Sequence, residues 1–246
     1  PSADTISMEN GKISGINAID HNHTSIDLQG ATVIPGFTDS HFHLTNLGKQ
    51  LDTLQLKNCR SSHEVAEKVL KKSAKMSHND WIIGFGWDHN KWRDSHFPQA
   101  DILNSLPISQ PIMLNRIDGH SAWVNQKAME LSGLDVAPNP PEGGDIINDC
   151  ILIDNAMNPV QFVMPKPDES TVEKWINLAL KIIIPRGITN IHDAWQDPVT
   201  VKVLQQMSAN GKLPIRVYGM MGSSYPKLLK QLFKEGVFNS ENDTIR

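Results

Sequence analysis

Short apolar runs separated by turn residues open the chain. Residues 5–8 and 13–16 flank the Asn10-Gly11 dipeptide, and Asn-Gly between two apolar runs is a strong hairpin signal. Two further short runs, residues 26–28 and the β-branched run at residues 31–34, predict two more strands. We therefore expect residues 5–34 to form short strands joined by turns.

From residue 36 onward the pattern changes to strands that alternate with amphipathic helices. Strands are predicted at residues 81–87, 111–117, 151–153, 188–191 and 215–218. Helices are predicted at residues 61–76, 98–106, 124–131, 170–184, 198–210 and 225–235. This alternation is typical of β/α units and predicts an α/β fold with a parallel sheet or barrel. About five such units can be counted, fewer than the eight that close a (β/α) barrel.

A pair of histidines, His41 and His43, lies in the segment Pro35–Leu44, directly after an apolar β-branched run. Because residues i and i+2 of a strand point to the same face, the two imidazoles should project side by side. Two parallel imidazoles at a strand end form half of a site for zinc or a similar divalent ion. Asp39 would share this face and could orient one imidazole.

The spacing alone is weak evidence, since ten histidines in 246 residues produce about 0.4 His-x-His pairs by chance. His21-Asn22-His23 has the same spacing in a polar run with no strand to direct the rings, and we interpret it as a solvated loop. Only the pair at His41 and His43 has a strand-like setting.

Composition excludes several classes of function. The formal net charge is −4 with mixed signs, which argues against nucleic-acid or anionic-membrane partners, and the Lys71–Lys75 cluster is expected on a solvated helix face. Two cysteines, Cys59 and Cys150, cannot form a disulfide framework, and neither has a base beside it for nucleophilic catalysis. No apolar run approaches the ~20 residues that cross a bilayer. We expect a cytoplasmic protein.

Five ordered motifs resemble a known family. These are Val33–Leu44 and the segments Trp81-Ile82-Ile83-Gly84-Phe85-Gly86-Trp87-Asp88, Arg116-Ile117-Asp118-Gly119-His120-Ser121-Ala122-Trp123-Val124-Asn125, Pro141-Glu142-Gly143-Gly144-Asp145-Ile146 and Gly187-Ile188-Thr189-Asn190-Ile191-His192-Asp193-Ala194. Together they resemble the amidohydrolase superfamily of metal-dependent hydrolases, in the branch that includes N-substituted formamide deformylases. The resemblance runs over nearly the whole chain.

The resemblance implies a TIM-like (β/α) barrel, incomplete in this chain, with part of a small N-terminal β-domain. Residues 1–35 would be strands of the β-domain, and residues 36–246 the first part of the barrel. The family continues for about as long again, and the second part holds its bridging lysine, two further metal-binding histidines and the catalytic aspartate. The resemblance therefore implies an N-terminal fragment in which the aspartate base lies outside this chain.

The resemblance also implies roles for individual residues. His41 and His43 would bind the more buried of one or two divalent ions, with zinc the expected metal. Four other residues would surround the substrate mouth, namely Trp87, Asp88, His120 and His192. Asp154 occupies a position that is usually acidic in the family, and its role stays open. The residues themselves also allow a packed, hydrogen-bonded His120 and a loop-capping Asp88.

The implied reaction is hydrolysis of a carbon–nitrogen bond other than a peptide bond, in an amide, formamide or cyclic amide, by a metal-activated water. Two alternatives stay open. One is ester hydrolysis by the same chemistry, and the other is an inactive fragment that acts as a binding or assembly module. The expected partner is a small-molecule substrate, and a homo-oligomer is left open.

Overall fold

A computed structural model describes residues 3–17, 24–136, 139–236, 240 and 244–245. The strands are β1 Ile6–Glu9, β2 Lys12–Ile16, β3 Phe37–Phe42, β4 Leu54–Gln55, β5 Ile82–Trp87, β6 Ile112–Arg116, β7 Ser121–Val124, β8 Gly144–Ile147, β9 Ile151–Asp154, β10 Ile188–Gln196 and β11 Arg216–Met221. The helices are α1 Leu44–Asp52, α2 Ser62–Ser73, α3 Ala100–Asn104, α4 Gln126–Ser132, α5 Asn158–Val163, α6 Glu169–Ile183, α7 Pro198–Ala209 and α8 Pro226–Glu235. The chain divides into two compact units, residues 1–35 and 36–246.

In the first unit, β1 and β2 form an antiparallel hairpin. Asn10 and Gly11 take φ values of 50° and 72°, the left-handed conformation that a tight hairpin turn requires. The predicted strands at 26–28 and 31–34 are wrong, because these residues pair with no strand in the described part of the chain. Ile26 is 81% exposed and Val33 58%. β-Branched side chains favour an extended backbone but do not supply a hydrogen-bonding partner.

The second unit begins with a parallel three-stranded sheet in the order β3–β10–β11. Helices α1, α6 and α7 cover one face of this sheet, and their apolar side chains form a core with Ile191 and Val217. The predicted apolar stripe of α6 is buried as expected at Val172, Ile176, Ala179 and Ile183. Gly48 lets α1 approach α6 closely, since a Cβ at this position would overlap the carbonyl oxygen of Trp175.

Residues 54–154 supply a separate six-stranded sheet in the order β4–β5–β6–β7–β9–β8. β4, β5 and β6 are parallel, whereas the remaining pairs are antiparallel. The expectation that all strands after residue 36 belong to successive parallel β/α units is therefore wrong for this segment. The connections explain the difference, because residues 117–120 and 148–150 are too short for a crossover helix.

Local signals place most helix ends correctly. Ser61 caps α2 by accepting a hydrogen bond from Glu64 N, as its position before the apolar run predicts. Val124 was expected to begin a helix but ends β7, and α4 begins after Asn125, whose side chain accepts from Ala128 N. Within the described residues, no helix combines the length and the apolar character needed to cross a bilayer.

Candidate metal centre and polar sheet edge

His41 and His43 lie at the carboxyl end of β3, and their ring centroids are 5.0 Å apart in a T-shaped arrangement. His41 is in the strand, whereas His43 is the N-cap residue that directly precedes α1. The next residue in the strand, Phe42, packs against the apolar core, so the two imidazoles lie on the opposite face. The geometry therefore brings the two sequence-predicted metal ligands together.

The ring of His43 is oriented by strand β10. Its Nδ1 lies 3.2 Å from the carbonyl oxygen of Ala194. Because a carbonyl oxygen can only accept a hydrogen bond, Nδ1 carries the proton in this contact and Nε2 keeps its lone pair. No hydrogen bond within the described residues occupies either ring nitrogen of His41. At least one imidazole nitrogen of each residue is thus free to bind a metal ion.

Asp39 does not contact either imidazole through a hydrogen bond in the described structure. Its Oδ1 accepts a hydrogen bond from the backbone N–H of His41 at 3.0 Å. The carboxylate thus holds the strand backbone rather than a ring. The suggested orientation of an imidazole by Asp39 is replaced by the Ala194 carbonyl, which carries no signal in the side-chain sequence.

Trp195 covers the histidine pair. Its indole stacks on His43 with centroids 5.2 Å apart and an interplanar angle of 12°, and its centroid is 6.2 Å from that of His41. Trp195 is a bulge residue of β10 with φ 58°, a rare conformation for a bulky side chain, and it is 70% exposed. Gly222 leaves room for it, because a Cβ there would lie 2.7 Å from the indole Cδ1.

Asp193 and His192 point to opposite faces of β10, as neighbours in a strand must. Asp193 is 2% exposed, and burial raises the pKa of its carboxyl group. His192 lies on the other face, where its ring centroid is 5.1 Å from that of Tyr218 on β11. Within this sequence motif, Asp193 therefore faces the apolar core and His192 faces the open side of the sheet.

A second group of polar residues lies at the edge of the six-stranded sheet. Arg116 forms an ion pair with Asp118 and lies 3.5 Å from Asp88 through Nη2. Asp88 also caps the short 3-10 turn that follows β5, accepting from Asn90 N. Arg116 Nε donates to His89 Nδ1 at 3.4 Å, and burial together with the Arg116 charge lowers the pKa of His89. The Asp88 carboxylate is therefore oriented by the Arg116 guanidinium.

His120 and Asp154 form a pair at the same edge. His120 Nδ1 lies 2.9 Å from Asp154 Oδ1, and this hydrogen bond and the carboxylate charge raise the pKa of His120. The backbone is shaped around the contact, with Asp154 at φ 46° and Asp154 N donating to the His120 carbonyl oxygen. The His120 side chain is 77% exposed. The Nε2 atom of His120 is therefore accessible to a solute.

Trp87 lies beneath this edge. It is fully buried among Trp92, Phe97 and Trp123, and its indole N–H donates to the Leu114 carbonyl oxygen at 2.7 Å. Contact between Trp87 and a substrate stays a prediction.

Cys59 and Cys150 are also buried, and burial raises the pKa of the Cys150 thiol to about 12.

The described residues contain no group of three or more histidine, cysteine or acidic side chains arranged to hold a metal ion. His41 and His43 fit two positions of a zinc-type site, which takes three protein ligands or more. The predicted loop histidines His21 and His23 lie outside the described residues. No hydrogen bond or ion pair in the described part of the chain joins the histidine pair to the polar edge of the larger sheet.

The sequence missed three contributions to this region. Trp195 follows the His192 motif without any spacing that predicts stacking on His43. Asp193 and Arg116 lie in sequence motifs that predict no partner for either residue, and their partners come from distant parts of the chain. A single sequence contains no signal for such long-range pairs.

Comparison with known proteins identifies relatives along most of the chain. It is 28% identical to a putative amidohydrolase, YtcJ, of Bacillus subtilis and to LONG AFTER FAR-RED 3 of Arabidopsis thaliana, over 78% of this chain in each case. It is 21% identical over 81% of its length to an N-substituted formamide deformylase of Arthrobacter pascens. The matched regions span 39%, 35% and 39% of those three relatives.

Two solved structures share the fold. They are uncharacterised metal-dependent hydrolases from Pyrococcus horikoshii and Pyrococcus furiosus, each with a TM-score of 0.66 over 86% of this chain. Identities are 23% and 24%, and the match covers 41% and 42% of those chains. The sequence profile of the amidohydrolase family matches residues 24–243. This match extends from before β3 to beyond α8, and the chain therefore belongs to the amidohydrolase family.

Proposed function

We propose that this chain carries two metal ligands, His41 and His43, of a hydrolase that cleaves carbon–nitrogen bonds other than peptide bonds. The observation that carries the proposal is the imidazole pair at the end of β3, with His43 Nδ1 directed at the Ala194 carbonyl. This contact leaves Nε2 available for a metal. Membership of the amidohydrolase family supports the same assignment.

The proposed fold is a (β/α) barrel in which β3, β10 and β11 are neighbouring strands. Their parallel pairing and the helices α1, α6 and α7 on one face support it. In such a barrel the functional groups lie at the carboxyl ends of the strands. His41 and His43 occupy that end of β3.

The expected metal is zinc, held by His41 and His43 together with at least one further ligand from outside the described residues. When bound, such an ion lowers the pKa of a coordinated water toward ~7 and polarises the carbonyl group of a substrate. The Ala194 carbonyl fixes the tautomer of His43, and Trp195 shields one face of its ring. Both contacts restrict the rotation of the His43 imidazole.

We propose that His120, Asp88 and His192 contact a small-molecule substrate, with Trp87 supporting Asp88 from within the core. His120 is suited to donate a hydrogen bond or proton from Nε2, because Asp154 favours its protonated form. The Asp88 carboxylate is oriented by Arg116. The formamide deformylase among the relatives suggests amides and formamides as the first compounds to assay.

Metal content tests the proposal directly. The full-length protein should hold one or two equivalents of zinc by elemental analysis, and His41→Ala and His43→Ala should lose both the metal and amide hydrolysis. His63→Ala is a matched control, since His63 is an exposed histidine on α2. A wild-type protein without bound metal, or full metal content in either alanine variant, would contradict the assignment.

A binding or assembly module is the second candidate. It is favoured by the observation that the described residues contain no group of three or more histidine, cysteine or acidic side chains that could hold a metal ion. In this case the wild-type protein would bind no zinc tightly and would hydrolyse no amide. The same elemental analysis therefore separates the two functions.

A further inference from the structure

Asp193 connects β10 to the beginning of α1. Its Oδ1 accepts a hydrogen bond from Leu44 N at 2.8 Å, and its Oδ2 accepts from Gln196 Nε2 at 3.0 Å. Leu44 is the first residue of α1 and follows His43 directly. A buried carboxylate thus holds the peptide unit next to a candidate metal ligand.

This contact replaces the normal cap of the helix. His43 occupies the capping position of α1 but makes no side-chain hydrogen bond to the backbone N–H groups of the first turn. Those N–H groups need acceptors, and a carboxylate also interacts favourably with the positive end of a helix. Asp193 supplies the acceptor from a strand that lies 149 residues away in sequence.

The same two-residue segment of β10 also holds the imidazole. The Ala194 carbonyl lies 3.2 Å from His43 Nδ1, one residue after the Asp193 contact to Leu44 N. The backbone after His43 and the ring of His43 are therefore both attached to one strand. A displacement of α1 relative to β10 would turn the ring away from its present direction.

We propose that Asp193 is a positioning residue that fixes His43 for metal binding. The inference rests on the proposed metal site, and it adds a requirement for a carboxylate that does not itself touch the metal. Partners that orient metal-binding histidines usually change metal affinity 10- to 100-fold when they are removed. The expected effect of Asp193→Ala is a loss of zinc affinity in this range.

The two acceptor oxygens of the carboxylate are part of the inference. No lysine or arginine in the described part of the chain forms an ion pair with Asp193. Both of its oxygens accept from N–H groups, whereas an asparagine would present an amide donor to one of them. We therefore expect Asp193→Asn to weaken zinc binding by about tenfold, the lower end of the range for such partners.

Asp197→Ala is the matched control. Asp197 caps α7 by accepting hydrogen bonds from Val199 N and Thr200 N, and among the described residues its carboxylate makes no hydrogen bond to His43 or Leu44. The two aspartates are four residues apart and both cap helices. Loss of a cap should lower the Tm in each variant, but only the Asp193 variants should change the metal site.

The experiment measures zinc dissociation constants of the full-length protein by competition with a chromophoric chelator, together with Tm and the visible spectrum of the cobalt-substituted form. The expected result is weaker zinc binding and an altered cobalt spectrum in Asp193→Ala and Asp193→Asn, with both properties unchanged in Asp197→Ala. If Asp193→Ala does not fold, Asp193→Asn decides the result, because its side chain can still accept from Leu44 N.

Wild-type affinity and spectrum in every Asp193 variant that folds would overturn the inference and make Asp193 a structural cap only. Equal losses of affinity in the Asp193 and Asp197 variants would also overturn it. Failure of the wild-type protein to bind zinc would instead refute the proposed function. The two failures are thus distinguishable.

Discussion

The small parallel sheet and the six-stranded sheet use their polar residues in different ways. On the β3–β10–β11 sheet, His41 and His43 have ring nitrogens without a partner among the described residues, and buried groups behind them hold the backbone. On the larger sheet, Asp88 and Asp118 each pair with Arg116, and His120 pairs with Asp154. The first arrangement suits metal binding, and the second suits contact with a substrate.

The two sheets also differ in which of their polar groups are buried. In the larger sheet the ionic side chains satisfy each other above a core of closely packed tryptophans. In the smaller sheet the Asp193 carboxylate is buried, whereas the imidazoles of His41 and His43 are exposed or half-buried. A metal-binding histidine needs a ring nitrogen with a free lone pair. The orientation of its ring must therefore be fixed by neighbouring groups that do not bond to that nitrogen.

The largest expected effect concerns the closed core of the larger sheet. Cys59 and Cys150 are buried, and at a pKa of about 12 the Cys150 thiol is about 10³-fold less ionised at pH 8 than a free cysteine. We expect Cys150 to react with iodoacetamide at least about 10³-fold more slowly than a free thiol. Labelling rates mapped by mass spectrometry, native and in urea, provide the measurement. Rapid native labelling would show that this region opens.

A pair of glycine substitutions should separate the two regions by stability and metal content. Gly48→Ala places a methyl group against the Trp175 carbonyl, and Gly144→Ala places one against the backbone of Ala156. Each should cost about 1–3 kcal/mol of unfolding free energy, because overpacked backbones must move apart. Only Gly48→Ala should also reduce zinc binding, since α1 begins next to His43.

Urea denaturation and elemental analysis measure these two effects. Asn46→Ala is the control on α1, because Asn46 is exposed. A reduced zinc content in Gly144→Ala at full folding would mean that the two regions are coupled.

The smallest expected effect is on the His120–Asp154 pair. Because the hydrogen bond and charge of Asp154 raise the pKa of His120 above 6.5, the pair stabilises the fold below pH 6.5 and this contribution is lost as the pH rises through the raised pKa. Asp154→Asn should lower the pKa of His120, and an NMR titration of the imidazole measures it. Asp145→Asn, on the neighbouring strand β8, should leave that pKa unchanged.

Much of the local structure follows from the sequence because its causes are local. The Asn10-Gly11 turn, the Ser61 cap and the apolar stripe of α6 each depend on residues within one or two turns of the chain. The strands expected at 26–28 and 31–34 failed because a strand needs a distant partner. The predicted strands do not include β7, whose four residues pair with β6 and with β9.

The candidate site divides in the same way. The spacing together with the strand-like setting predicted that His41 and His43 would lie together, and their ring centroids are 5.0 Å apart in the structure. Spacing did not predict that β10 would orient His43 through the Ala194 carbonyl and hold Leu44 through Asp193, because a backbone carbonyl has no side-chain signature. It also did not predict that Arg116 would form an ion pair with Asp88.

The sequence by itself therefore determined the β1–β2 hairpin, six of the eight described helices, the α/β class and the pair of imidazoles, since these depend on periodicity and near neighbours. The tertiary structure alone decided that residues 54–154 form a separate mixed sheet and that Asp193, Ala194 and Trp195 surround the pair. The physical reason is that hydrogen bonds between strands and contacts across 150 residues depend on chain topology, which side-chain composition along a single segment does not encode.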